Sequence, residues 1–128
     1  MPITVDWDDA ARTTLRWDIV GTWTWEMIYT ATRESVLKRR TVAHSVAVII
    51  NMERAALIPP GALTHTRNAL MVSPDDRDLV VVVGRSSYTQ AIVAIFRKMY
   101  ITMSEQIVGV ESLDKARRLI ASRRAEVG

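Results

Sequence analysis

Two short apolar segments decide the fold of this chain: VAVII at residues 46–50 and LVVVV at residues 79–83. Each is too short to cross a membrane, because a spanning helix needs roughly 20 apolar residues. Their β-branched side chains have stiff χ1 rotamers that suit a pleated strand. Neither segment alternates apolar with polar residues, as a strand with one solvated face would. The two segments therefore predict parallel strands in a sheet that helices cover on both faces.

Alternation of period two near the N-terminus predicts an antiparallel hairpin. The first strand should contain Ile3 and Val5, and the second Leu15 and Trp17, with the polar stretch 8–12 as the turn between them. This hairpin places one antiparallel strand in a sheet that is otherwise parallel.

About four helices are expected after the hairpin. The first should cover about residues 23–38, with Thr22 or Thr24 as its N-cap and a buried stripe at helical spacing. That stripe consists of Trp25, Ile28, Tyr29, Thr32 and Val36. A second helix should begin near Pro60 and run to residue 70 or 71, and a third should follow residues 85–87. The last should have Ser112 as its N-cap and bury Leu113, Ala116 and Ile120.

These elements predict an α/β fold with a mixed, mostly parallel sheet of four to five strands. The expected order is β-β-α-β-α-β-α-β-α, with β-strands after the hairpin at 46–50, 79–83 and 106–110. The first of these three strands should end at Ile50 or Asn51, and residues 52–58 should form a loop. Strand–helix–strand crossovers make parallel neighbours, and they are right-handed. At 128 residues the chain is expected to form a single domain over residues 1–128.

Composition and charge narrow the classes of function. Seventeen basic residues against fourteen acidic ones leave a net charge of +3, but the basic residues are scattered or lie near predicted helix C-termini. Because cations there complement the helix dipole, nucleic acid is not an expected partner. The absence of cysteine excludes disulfides, thiolate metal sites and cysteine nucleophiles. With neither a signal peptide nor a membrane span in view, we expect a cytoplasmic protein.

Ligands of open α/β sheets gather at the carboxyl ends of the strands. There the best anion candidate is the stretch Gly84, Arg85, Ser86 and Ser87, which joins a strand to a helix whose first amides can accept a phosphate or carboxylate. The alternative is that one of the two serines only caps the helix. The stretch lacks the pattern of a phosphate loop and the second glycine of a nucleophile elbow.

No catalytic or metal site is indicated. His44 and His65 are the only histidines, on elements that need not meet, and no zinc-binding spacing is present. The acidic group Asp75, Asp76 and Asp78 follows Pro74 and is typical of a solvated turn. No cofactor is expected.

Trp23 and Trp25 lie two residues apart at the expected start of the first helix. Within a helix, residues so spaced are rotated by roughly 200° and cannot both face the core. The sequence leaves open whether Trp23 lies exposed near the strand ends, where it could anchor a partner, or folds back over the hairpin as a lid.

Short motifs in this order resemble the SpoIIAA-like (STAS) group, which includes anti-sigma-factor antagonists. The motifs are Trp23-Thr24-Trp25-Glu26, Val48-Ile49-Ile50-Asn51, Pro59-Pro60-Gly61-Ala62-Leu63, Val81-Val82-Val83-Gly84 and Ser112-Leu113-Asp114-Lys115-Ala116. The resemblance implies a four- to five-stranded sheet with helices mostly on one side, no cofactor, and function through protein contacts or a small ligand. The group's phosphorylated serine has no counterpart, because residues 51–60 contain neither Ser nor Thr.

The leading hypothesis is a non-enzymatic regulatory or protein-interaction module of STAS-like fold. Its contact surface would include Arg54, Leu57 and Pro59, with Trp23 nearby. A sheet with two free edges also favours a homodimer.

The rival hypothesis is a binder of a small anionic or lipid-like ligand at the strand ends. Arg85, Ser86 and Ser87 would hold the anion, and Trp23 and Met52 would supply apolar walls. An enzyme ranks third, because neither a nucleophile with its base nor a metal set can be named.

Overall fold

The computed structural model describes residues 2–56, 79–84, 87, 89–91, 93–94 and 107–127. The strands are β1 (Ile3–Trp7), β2 (Thr14–Gly21), β3 (Ala47–Ala55), β4 (Val80–Val83) and β5 (Ile107–Val110). The helices with defined bounds are α1 (Trp25–Arg39) and α2 (Leu113–Val127), and the backbone is also helical at 87, 89–91 and 93–94. The helix predicted from about residue 60 to 71 lies outside the described residues.

The five strands form one mixed sheet in the order β1-β2-β3-β4-β5. β1 pairs antiparallel with β2, and each later strand pairs parallel with the one before it. The predicted α/β class, the N-terminal hairpin and the parallel remainder of the sheet are therefore confirmed.

Two apolar clusters lie on opposite faces of the sheet. The first contains Val48 and Val82 of the central strands together with Trp25 of α1 and Val93. The second cluster contains the neighbouring residues Ala47, Ile49, Val81 and Val83 with Ala116 and Ile120 of α2. Successive strand residues point to opposite faces, so this division shows that β3 and β4 are covered on both sides, as predicted.

Crossover handedness explains which helices share a face. Because the strands follow one another across the sheet, right-handed crossovers place the connecting helices on the same side. Accordingly, α1 and Val93 contribute to one cluster, whereas α2, which follows the last strand, covers the other face.

α1 begins two residues later than predicted. Thr24 is its N-cap, with an extended backbone and a side-chain oxygen 3.3 Å from the amide nitrogen of Met27. The buried stripe is also rotated from the predicted one, because Ala31 and Ser35 are buried where Tyr29 and Val36 were expected. The indole nitrogen of Trp17 on β2 donates to the hydroxyl of buried Ser35 at 2.7 Å and so links the helix to the sheet.

β3 is longer than its apolar core predicted. The sequence placed its end at Ile50 or Asn51 and a loop over residues 52–58, and this was wrong, because the strand continues to Ala55. The extension pairs with the end of β2, where the amide of Ala56 still donates to the Gly21 carbonyl at 2.9 Å. Pairing with β2 therefore stabilises an extended backbone at Glu53 and Arg54, although their polar side chains favour a loop.

An ion-pair cluster fastens α2 to the hairpin. Both oxygens of Asp8 accept from Arg117 of α2, at 3.0 and 2.9 Å, and one also accepts from Arg16 of β2 at 2.6 Å. The Asp8 side chain is only 5% exposed. The hydrogen bonds from Arg117 lower the pKa of Asp8 most; burial opposes this effect, and Arg16 adds to it.

We predict that Asp8→Asn lowers the free energy of unfolding by about 2 kcal/mol at neutral pH, because Arg117 loses two hydrogen bonds to a charged acceptor and Arg16 loses one. The pKa of Asp8 is lowered in the folded state, so its contribution is present above about pH 4, near the unfolded pKa. It is lost as the pH falls through the folded pKa. Urea denaturation of both proteins at several pH values measures the difference.

Asp114→Asn is the matched control, because Asp114 is 84% exposed and lies 3.9 Å from Arg117. A surface pair of this kind contributes little. Equal destabilisation by the two substitutions, or a difference that persists below the folded pKa of Asp8, would contradict the prediction.

Candidate functional site

An open groove of about 390 Å³ lies at the carboxyl ends of β2 and β3, beside the first turn of α2. We call it the β2–β3 groove. It is lined by Arg16, Asp18, Ile19, Val20, Asn51, Glu53, Arg54 and Leu113. The carboxyl ends of parallel strands are where open α/β sheets bind their ligands, so this groove is the candidate site.

A register shift shapes the rim of the groove. Asp18 pairs with Asn51, but Val20 pairs with Arg54, so β3 accommodates one more residue than β2 over this stretch. Such a bulge interrupts the alternation of side chains between the two faces. As a result, two consecutive residues of β3, Glu53 and Arg54, are both exposed, and both line the groove.

Hydrogen-bonded polar side chains form the floor of the groove. Asp18 accepts from Arg16 at 2.9 Å through one oxygen and from the Asn51 amide at 3.0 Å through the other. The amide oxygen of Asn51 in turn accepts from the backbone of Glu53 at 3.2 Å. The hydrogen bond to Asp18, and then that to Asp8, raises the pKa of Arg16. These side chains are therefore held in fixed positions.

The two charged residues of the rim differ from those of the floor in their ion pairing. Within the part of the chain that the structure describes, neither Glu53 nor Arg54 takes part in an ion pair. Val20 stands opposite Arg54 and is 51% exposed. The rim thus combines one exposed apolar side chain with two charges of opposite sign that are available for a partner.

The predicted anion site at Gly84, Arg85, Ser86 and Ser87 is described only in part. Ser87 is helical and exposed, whereas Arg85 and Ser86 lie outside the described residues. Gly84 is buried after β4, and a Cβ placed on it would meet the Thr89 side-chain oxygen at 2.4 Å. Close packing against Thr89 is therefore a sufficient reason for glycine here, and anion binding by this stretch stays a prediction.

Trp23 is buried, so it does not belong to a contact surface. Its side chain is 3% exposed, and its indole nitrogen lies 3.4 Å from the carbonyl oxygen of Ala56, which follows β3. Trp23 precedes the helix, so the rotation argument for two helical residues does not apply. Both indoles enter the core, where they pack edge to face with ring centroids 5.0 Å apart.

Of the other predicted partner residues, Arg54 is exposed on the rim of the groove. Leu57 and Pro59 lie outside the described residues. So do His65 and the acidic group 75–78. His44 is exposed, and its Nε2 lies 2.7 Å from the Arg12 carbonyl oxygen, which accepts from it.

Within the described ranges, no three histidine or carboxylate side chains converge as a metal site. The helices of the same ranges are all too short or too polar to cross a membrane.

Sequence reasoning missed the β2–β3 groove because it ended β3 too early. Asn51, Glu53 and Arg54 were assigned to a loop, so their common face with Asp18 was not expected. The one available signal was buried Met52, whose apolar side chain continues the inward face of β3 past Ile50.

Models of protein families yield no match to this chain, and neither do curated protein sequences.

We predict that Gly84→Ala destabilises the fold by about 1–3 kcal/mol, because a methyl group would overlap the Thr89 hydroxyl. Thr89→Ala in the same chain should recover part of this loss, which a double-mutant cycle by urea denaturation measures. Gly21→Ala is the contrasting control: nothing lies within 4 Å, and only its positive φ of 71° is strained. If Gly84→Ala and Thr89→Ala change the free energy of unfolding additively, the packing of Gly84 against Thr89 does not explain the glycine.

Proposed function

We propose that this protein is a non-enzymatic protein-interaction module that holds its partner at the β2–β3 groove. The observation that carries the proposal is the rim of the groove, where exposed Val20 lies beside Glu53 and Arg54. Protein interfaces have an apolar centre and a polar rim, and arginine is enriched in them. A partner that covers Val20 would thus find charged groups of both signs next to the apolar contact.

The form of the groove supports a protein partner over a small molecule. The groove is open, and its charges balance, with Arg16 and Arg54 against Asp18 and Glu53. Small-molecule sites bury most of the ligand surface and present a few polar groups that converge on it. Here the floor residues Arg16 and Asp18 already bind each other, so an incoming small ion would have to compete with that pair.

The resemblance to the SpoIIAA-like group adds support of a different kind. The resemblance implies a sheet with helices mostly on one face and a function through contacts. α1 and Val93 lie on one face of the sheet, and Arg54, which was expected on the partner surface, is exposed. We extend the proposal to a regulatory role of STAS-like type, without the phosphorylated serine of that group.

A small polar ligand is the second candidate for the same groove. Its supporting observation is the volume of about 390 Å³, which falls in the range of about 300–1,000 Å³ of known ligand sites. Thermal shift against a panel of acidic and zwitterionic metabolites tests it: a stabilising ligand whose effect is lost in Arg54→Ala would favour this candidate over a protein partner.

We predict that Val20→Asp weakens partner binding about tenfold, because it replaces the apolar contact with a carboxylate that can pair with Arg54 on the opposite strand and so withdraw it from the partner. A photo-crosslinking amino acid at position 20 first identifies the bound protein in a lysate of the source organism. The affinity of the purified pair is then measured by calorimetry for the parent chain and for Val20→Asp.

Leu37 provides the matched control, because it is a second exposed apolar residue, 63% exposed, on α1. We expect Leu37→Asp to leave the affinity unchanged, and a crosslinker at position 37 to miss the partner. The proposal is overturned if position 20 captures no protein that position 37 does not also capture, or if both substitutions weaken binding equally.

A further inference from the structure

The outer edge of β1 carries a row of backbone groups directed away from the sheet. The amide of Val20 donates to the Pro2 carbonyl, and that of Asp8 donates to the Thr14 carbonyl, both at 2.8 Å. In an antiparallel ladder the bonded pairs alternate, so Thr4 and Asp6 also face β2. Ile3, Val5 and Trp7 therefore direct their N–H and C=O groups outward.

No strand of the described residues pairs with this edge, since β1 stands first in the sheet. None of the three residues has a backbone hydrogen bond on its outer side within the same ranges. An edge of this kind is a template on which another extended segment can form hydrogen bonds. The remaining question is which kind of segment fits.

A second groove, of about 220 Å³, lies between the start of this edge and α1. It is lined by Pro2, Ile3, Thr24, Glu26, Met27, Thr30, Ala31 and Glu34. A strand added beyond β1 would direct alternate side chains over this groove. Glu26 and Glu34 are the only charged side chains in its lining, and neither takes part in an ion pair over the described residues.

The spacing of the two carboxylates matches that of a β-strand. Glu26 and Glu34 are eight residues apart in α1, which at about 1.5 Å per residue is about 12 Å. Positions i and i+4 of a strand share one face and lie about 13 Å apart at about 3.3 Å per residue. Met27 and Ala31 lie between the carboxylates along the helix, where position i+2 of the strand would pass.

We propose that the β1 edge binds an extended basic segment of a partner protein as a sixth strand. Basic side chains at positions i and i+4 of that segment contact Glu34 and Glu26, and an apolar side chain at i+2 packs against Met27 and Ala31. This surface is separate from the β2–β3 groove and goes beyond the function proposed for it.

Charge disfavours a second copy of this chain as the occupant. Pairing of β1 with itself around a twofold axis would set two α1 helices side by side. Each helix would then present Glu26 and Glu34 to the same two carboxylates of its copy. Like charges facing each other in this way cost free energy, so we expect the edge to select a basic partner.

The test uses a labelled seven-residue peptide, Thr-Lys-Thr-Val-Thr-Lys-Thr, in which both lysines and the valine share one face. Binding is followed by fluorescence anisotropy at low salt, with Thr-Glu-Thr-Val-Thr-Glu-Thr as the control peptide. We expect the lysine peptide alone to bind. The double substitution Glu26→Lys and Glu34→Lys should lower its affinity roughly tenfold, because two attractive contacts become repulsive.

A charge-matched double variant, Glu53→Lys with Glu111→Lys, has the same net charge but leaves the β1 edge unchanged, and it should bind the lysine peptide as the parent does. Glu26→Gln with Glu34→Gln removes both charges without placing a cation at the start of α1, so it should lose less affinity for the lysine peptide than Glu26→Lys with Glu34→Lys. Because Glu53 belongs to the β2–β3 groove, comparing the variants at 53 and 111 with those at 26 and 34 shows at which of the two surfaces the peptide binds.

Amide hydrogen exchange by NMR supplies a readout of the strand itself. On peptide binding, the outward amides of Ile3, Val5 and Trp7 should exchange at least about tenfold more slowly, while those of Thr4 and Asp6, already bonded to β2, should change little. Equal binding of both peptides, or peptide binding without this alternation, overturns the proposal. A dimer in light scattering that protects the same three amides without peptide also overturns it, in favour of a second copy.

Discussion

The central constraint on this structure is that β3 and β4 must be covered on both faces. Val48 and Val82 face one cluster, while Ile49 and Val81 face the other. Exposing either face of these strands to water would therefore cost free energy. α1 and the helical residues around Val93, which connect parallel strands, lie on one face because of crossover handedness. Among the described residues, α2 covers the other face, and the bonds between Asp8 and Arg117 fasten it there.

The width of the covering helix determines which parts of the sheet remain exposed. A helix is about 10 Å wide, so it covers about two strands spaced about 4.8 Å apart. On the α2 face, β1 and β2 therefore present polar side chains such as Asp6, Arg16 and Asp18. The β2–β3 groove lies where the start of α2 meets the ends of β2 and β3. At the opposite side of β2, the edge of β1 and the flank of α1 form the second surface.

Three particular residues show why the sequence predicted the frame of the fold better than its site. The exposure of Trp23 was predicted from the rotation between helical residues, but Thr24 has an extended backbone and the helix begins at Trp25, so both indoles reach the core. Glu53 and Arg54 have strongly polar side chains, which individually favour a loop. They become strand residues because β2 continues alongside them to Gly21, and pairing with a neighbour outweighs the local preference.

The sequence by itself determined the α/β class, the N-terminal hairpin, the parallel central strands and Ser112 as the cap of α2, where its hydroxyl accepts from the Lys115 amide at 3.2 Å. These features depend on periodicity and on side chains acting on their own segment, which are local properties. Only the tertiary structure decided the burial of Trp23, the length of β3, the position of Arg54 beside Val20, and the contact of Asp8 with a helix more than a hundred residues later. Those outcomes depend on which distant segments pack together in the folded chain, and the sequence pattern of a single segment does not contain that information.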